Sequence, residues 1–207
     1  MLDNYQDLMK FLTELTYTPT LLLHSCCAPC STHVISLLKD YFKITIFYSN
    51  DNIYPFEEYQ KRLAEEIKFC KNFNIEVIFD DYNQDDYDKA IVGYETLGEK
   101  SLRCYKCYQF RLEKTVQKAK KLNFDYFTTT LSISPHKNSQ WINEIGKALE
   151  EKYDIKFLYS NFKKEDGYKH SVSLAKEYNL YRQDYCGCIH SLNERKIADV
   201  KREENNN

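Results

Sequence analysis

The chain of 207 residues is 43% hydrophobic with a formal net charge of −2: enough apolar material for a core, too little positive charge for a general nucleic-acid coat. No apolar run approaches the ~20 residues of a membrane span, and Met1–Lys10 carries Asp3 and Asp7 where a signal peptide would be basic; a cytoplasmic protein with no membrane partner is expected. The length suits one α/β domain over residues 1–201, followed by a polar, disordered tail over 202–207.

Leu8, Phe11, Leu12 and Leu15 repeat at helical spacing over 3–17, and Pro19 stops that helix. Thr20–His24 is a short β-rich run leading straight into Cys26, Cys27 and Cys30, after which Ser31 or Thr32 is placed to cap a helix through Leu38. A second strand over Ile44–Tyr48 ends in a polar loop at Ser49–Asn52. Phe56–Phe73 has the pattern of a long amphipathic helix, with Cys70 on its apolar face as a core residue. Glu76–Phe79 reads as a strand, and 85–92 and 103–122 read as helices separated by Gly93 and Gly98. A strand over Tyr126–Thr130, a helix over Ser139–Tyr153, a strand over Lys156–Tyr159 and helices over 167–178 and 190–200 complete the chain.

Strands alternating with helices of this length predict parallel pairing and right-handed crossovers: a Rossmann-like (HUP-like) α/β fold with a mostly parallel five-stranded sheet flanked by helices. Ligands gather at the carboxyl ends of such strands, so the loops after strands one, two and four should meet at one rim and place a metal site there. No Gly-x-Gly-x-x-Gly follows the first strand and no P-loop occurs anywhere. Thiols fill the place of a phosphate loop.

Seven of the eight cysteines fall into three groups: Cys26, Cys27 and Cys30; Cys104 and Cys107; Cys186 and Cys188. Such spacing means thiolate chemistry, through a metal, an iron–sulfur cluster or a redox-active disulfide. Cys104-Tyr-Lys-Cys107 suits zinc, iron–sulfur or redox chemistry, although a thioredoxin-like motif should follow its strand directly and this one lies well downstream. Gly187 lets Cys186 and Cys188 converge on one metal or in a strained, easily reduced disulfide. Seven clustered thiolates exceed the four that one zinc or one [4Fe–4S] centre needs, which favours a cluster plus a second metal or a reducible dithiol.

The combination Leu-Leu-His-Ser-Cys-Cys-Ala-Pro-Cys, Tyr-Ser-Asn-Asp-Asn-Ile-Tyr-Pro, Arg-Cys-Tyr-Lys-Cys-Tyr, Thr-Thr-Thr-Leu-Ser-Ile-Ser-Pro-His-Lys and Tyr-Arg-Gln-Asp-Tyr-Cys-Gly-Cys resembles the cobalamin-independent epoxyqueuosine reductases, from about Leu21 to His190. The resemblance implies the last step of queuosine synthesis, two-electron reductive deoxygenation of epoxyqueuosine at the wobble position of tRNAs for Asp, Asn, His and Tyr. It implies a [4Fe–4S] cluster on Cys26, Cys27, Cys104 and Cys107, a redox-active Cys186/Cys188 pair that can form a disulfide, and an adjacent mononuclear iron. Cys30 occupies a position where the family is not uniform, and is a candidate ligand of that second iron. The partners implied are tRNA carrying epoxyqueuosine and an unidentified electron donor.

Removing an epoxide oxygen needs two electrons and an acid, and a [4Fe–4S] cluster normally cycles one electron, so a second carrier beside it has a purpose. Asp51, Tyr54, Tyr105, His136 and Tyr185 are candidate proton donors or ring contacts. Lys114, Lys118, Lys121 and Lys137 are candidates for a tRNA-binding patch, with Lys163, Lys164 and Arg182 next. A tRNA-thiolating or adenylating enzyme shares this architecture but needs a Ser-Gly-Gly-x-Asp-Ser loop that is absent here. A non-catalytic zinc or redox-sensor protein is the other class, separated by the brown colour of iron–sulfur.

Overall fold

The structure, a computed structural model, describes residues 5–205. Its sheet has five strands, all parallel: β1 (Thr20–His24), β2 (Lys43–Tyr48), β3 (Glu76–Phe79), β4 (Tyr126–Thr129) and β5 (Lys156–Phe157), in the order β3-β2-β1-β4-β5. Covering it are helices α1 (Tyr5–Glu14), α2 (Ala28–Leu38), α3 (Phe56–Lys71), α4 (Gln84–Ala90), α5 (Leu102–Lys121), α6 (Ser139–Tyr153), α7 (Gly167–Glu177) and α8 (Ile189–Asn205). Among the described residues no helix is long and apolar enough to cross a membrane.

The central strand β1 shows why the sequence folds this way. Its Leu21-Leu22-Leu23 run is fully buried on both faces, as a parallel strand covered by helices requires. Leu21 and Leu23 point to one core with Val34 of α2 and Phe69 of α3, while Leu22 points to the other with Leu112 of α5 and Ile145 of α6. Each buried leucine contributes roughly 1.5–3 kcal/mol. Gly146 is required on α6 because a Cβ there would lie 2.3 Å from the Phe157 ring on β5. From β1 the chain steps outward to β2 and β3, then returns to the other side for β4 and β5. The switch point therefore opens between the carboxyl ends of β1 and β4, where ligands of open α/β sheets bind.

Several boundaries differ from those the sequence suggests. Helix α2 starts at Ala28, three residues before Ser31, because Pro29 in the first turn is preset for helix and Cys27 takes the N-cap position. Strand β4 ends at Thr129, and Thr130 opens a 3₁₀ turn through Ile133. Strand β5 is limited to two residues instead of reaching Tyr159. The last helix does not stop at Val200 but continues to Asn205, so residues 202–205 of the polar tail are helical; Arg195 and Arg202 both pair with Asp199 at helical spacing, which supports the extension. Residues 206–207 lie outside the described residues, as do 3–4 at the expected start of α1.

Ser31, freed from capping, hydrogen-bonds at 2.6 Å to Glu66, a carboxyl fully buried in α3, and lies 2.7 Å from Ser25 Oγ. Cys70 is buried as expected and donates weakly to the same carboxyl at 3.7 Å. Burial raises Glu66 from the ordinary 4.5 to about 7, against the lowering effect of the Ser31 hydrogen bond. With the folded value raised, stability attached to the protonated form is complete below about 4.5 and is lost as pH rises through about 7. Glu66→Gln keeps the neutral state and should lose this dependence, gaining roughly 3 kcal/mol relative to wild type between acid and alkaline conditions. Urea unfolding below and above that window checks it; an identical difference at both would refute the assignment.

A thiol-lined site at the switch point

The loop leaving β1 and the first turn of α2 bring Cys26, Cys27 and Cys30 together, with all three sulfurs within 4.8 Å of one another. Cys27 Sγ stands 3.2 Å from Cys30 Sγ and 3.8 Å from Cys26 Sγ. Thr130, just after β4, anchors the loop from across the switch point: its Oγ1 accepts the Cys26 amide at 3.4 Å and lies 3.7 Å from Cys26 Sγ. Cys30 and Cys104 both occupy the third position of their helices, α2 and α5.

A cavity of about 500 Å³ opens here, lined among others by Cys26, Cys30, Cys104 and Cys186. Cys107, one turn behind Cys104, packs instead with Tyr87, Ile91 and Cys188. Each of the three cysteine groups thus reaches the cavity, through Cys26 and Cys30, through Cys104 and through Cys186. All eight cysteines are free thiols, Cys186 exposed and Cys188 buried.

Close packing sets the charges. Hydrogen bonds from Cys27 and then Cys30 hold the Cys26 thiol well below its usual range, and these overcome burial with help from Lys137 and Arg111. The donors are correspondingly raised, Cys27 to about 12 and Cys30 likewise upward, each chiefly through its bond to Cys26. Burial raises Cys107 to about 12 and Cys188 to about 11. Lys137 is pulled down by burial, yet Cys186, Cys26 and Cys30 more than offset this and keep it charged. Arg111, fully buried on α5, donates from Nε to His24 Nε2 at 3.3 Å, and His24 Nδ1 lies 2.8 Å from Thr129 Oγ1. Burial and then Arg111 lower His24 to about 3, so it stays neutral beside the thiols. A buried sulfur-rich donor set flanked by fixed cations fits an iron–sulfur group, whose net charge is negative.

The other sequence candidates separate clearly. His136 and Tyr185 line the cavity. Asp51 does not: it is buried, takes a 2.6 Å ion pair from Lys114 and accepts the Asn83 amide at 2.9 Å. Tyr54 serves through its carbonyl, which accepts the Tyr185 hydroxyl at 2.5 Å. Tyr105 packs edge-on to Trp141. Lys118 is ion-paired to Asp80, so neither Lys114 nor Lys118 offers a phosphate site; both sit on the side of α5 that meets the acidic loops after β2 and β3. Lys163 donates to the carbonyls of Ser132 and Lys137. The cations on the cavity are Lys100, Lys137, Arg182 and Arg195. Sequence reading missed Arg62, Arg111 and Gln183, which touch or flank the thiols. The signal for Arg62 was positional, since α3 starts from the loop after β2 and its first turns must lie at the rim.

The family Epoxyqueuosine reductase QueH matches residues 21–194. The chain is 41% identical over 192 residues to the epoxyqueuosine reductase QueH of Streptococcus pyogenes serotype M1, covering 90% of this chain and 75% of that one. It is 42% identical over 188 residues to that of Thermotoga maritima, covering 88% of this chain and 96% of the relative. In fold it is similar to the U34-tRNA thiolase NcsA from Methanococcus maripaludis with its [4Fe-4S] cluster, at a TM-score of 0.55 and 14% identity, covering 90% of this chain and 69% of that one. With the match running from β1 into α8 and taking in every clustered cysteine, the chain belongs to the epoxyqueuosine reductase QueH family.

Proposed function

We propose that this epoxyqueuosine reductase deoxygenates epoxyqueuosine within tRNA, at the wobble position of the tRNAs for Asp, Asn, His and Tyr, in the cavity at the β1/β4 switch point. The observation that carries the reading is one cavity lined by cysteines from three sequence-distant segments: Cys26 and Cys30, Cys104, and Cys186. Cys26, Cys27, Cys104 and Cys107 would hold a [4Fe–4S] cluster, and Cys30, beside Cys26 and Cys27, would serve an adjacent mononuclear iron. When bound, such a cluster supplies electrons singly from a low-potential store.

The chain's own residues supply the rest. Cys186, exposed on the cavity, and Cys188, buried behind it, are placed as a dithiol whose oxidation to a disulfide releases two electrons and two protons. That balances the reaction: the epoxide oxygen leaves as water, the ring becomes an alkene, and an external electron donor restores the dithiol. Lys137 and His136 on the cavity wall are candidates to protonate the leaving oxygen. Tyr108 and Tyr185 give the cavity aromatic faces for a base or cyclopentane ring.

Replacing any one of Cys26, Cys27, Cys104 or Cys107 by Ser should sharply lower iron and sulfide in anaerobically purified protein. Full retention in all four variants would sink the ligand assignment. The Cys186→Ser, Cys188→Ser double variant should stay brown and lose reductase activity by mass spectrometry of epoxyqueuosine tRNA. Loss of the whole cluster would instead make these two primary ligands.

The tRNA reading predicts a division among the basic residues. Lys100→Glu and Arg182→Glu, on the cavity rim, should weaken tRNA binding and reduce the salt slope by about 0.9 for each phosphate no longer neutralised. Lys114→Met should leave that slope unchanged but lower stability by about 3 kcal/mol, because it strands buried Asp51. The opposite pattern, in filter binding against salt and in denaturant titration, would move the tRNA surface onto the outer face of α5.

A further inference from the structure

We propose that Glu58 and Arg62 of α3 form a positioning clamp that docks residues 181–188 over the thiol site and fixes the Cys186-Gly187-Cys188 turn relative to Cys27. The proposal deepens the reading of Cys186 and Cys188 as the redox pair and rests on it.

The segment between α7 and α8 has no regular structure from Leu180 to Gly187, so its backbone groups must find partners elsewhere. Arg62 provides them. Its side chain is 1% exposed and its Nε holds Glu58 Oε1 at 2.7 Å. The other end of the guanidinium donates to two consecutive carbonyls, Nη1 to Cys186 at 3.2 Å and Nη2 to Tyr185 at 3.5 Å. The guanidinium carbon stands 5.1 Å from the centroid of the Tyr185 ring. A planar fork with donors on three nitrogens makes all these contacts at once; a lysine ammonium cannot.

Glu58 grips the other end of the segment. The Tyr181 hydroxyl donates to its carboxylate at 3.1 and 3.2 Å, and Lys61 Nζ lies 3.3 Å from the centroid of the same ring. Between the two grips Gln183 Nε2 donates to Cys27 Sγ at 3.0 Å, so the docked segment touches the thiol group directly. The turn is tied further by Tyr54 N–H to Gly187 O at 2.8 Å and by Cys186 N–H to Ser191 Oγ at 2.9 Å. Gly187 is needed twice over: its φ is +136°, and a Cβ would meet Ile53 Cγ1 at 3.1 Å and Arg62 Nη1 at 3.2 Å. An ion pair one helical turn apart on α3 thereby sets the separation between two groups of cysteines more than 150 residues apart in sequence.

The readout is protection of the buried Cys188 in the reduced, cluster-loaded holoenzyme. Under anaerobic iodoacetamide, mass spectrometry follows alkylation of Cys188 against exposed Cys186 as an internal reference. In Arg62→Met the Cys188 rate relative to Cys186 should rise about tenfold or more, as expected when several hydrogen bonds to one segment are removed. Arg62→Lys should fall between, and Tyr181→Phe, which leaves the Glu58–Arg62 pair intact, should raise the ratio several-fold. Iron and sulfide should remain at wild-type levels while kcat falls. A wild-type ratio in Arg62→Lys and Tyr181→Phe would overturn the clamp even if Arg62→Met failed to fold. Loss of the cluster in these two variants would also overturn it, by making Arg62 a support of the ligands. Full activity of the Cys186/Cys188 double serine variant would overturn the redox reading, while the alkylation ratio would still decide the clamp.

Discussion

Sulfurs crowded into a dry pocket cannot all carry charge, and the structure around this site follows from that constraint. Three thiols within 4.8 Å of one another settle on one favoured thiolate, Cys26, with Cys27 and Cys30 as its donors. A buried anion needs a nearby cation, and the fold supplies Arg111 from α5 and Lys137 from the loop after β4 to Cys26, with Arg62 from α3 beside Cys27. The two arginines are held by neutral or oppositely charged partners. His24, kept neutral, and Asn50 hold Arg111, and Glu58 holds Arg62. Negative charge arriving with a metal–sulfide group would meet a field already arranged for it.

The switch point explains why this chemistry sits where nucleotide chemistry sits in related architectures. The chain shares its fold with a tRNA thiolase, and its β1–α2 loop begins where a phosphate-gripping loop would be. Here Cys27 takes the N-cap and Cys30 the first turn of α2, the end of a helix where phosphate binds elsewhere. Changing the residues that face it, from glycine and serine to cysteine, changes the ligand without changing the fold.

Much of this was legible in the sequence, because periodicity and cysteine spacing are local signals. The parallel sheet, the order of elements and the burial of Cys70 all follow from apolar patterns within single segments. The placement of Cys26, Cys27 and Cys30 at the ligand-binding rim follows from topology alone. What could not be read were pairings set by tertiary approach. Lys114 and Lys118 look like a solvated basic stripe until α5 lies against Asp51 and Asp80. Ser31 looks like a cap until Pro29 starts the helix early and turns the hydroxyl toward Glu66. Arg62 has the spacing of an ordinary surface ion pair with Glu58, and only the return of residues 181–188 buries it.

The two halves of the site differ in how firmly the fold holds them, and this difference matches the work each would do. Cys26, Cys27 and Cys30 are fixed by β1, by Thr130 and by the first turn of α2, elements continuous with the main core. Cys186 and Cys188 sit on an irregular segment tied down mainly by side chains. A cluster site benefits from rigid ligands, since reorganisation on electron transfer adds to the barrier. A dithiol that closes to a disulfide must change its sulfur–sulfur separation in every cycle, to about 2.05 Å when closed. Placing that pair on a segment held by a few strong polar contacts allows the movement and still returns the sulfurs to the same cavity wall.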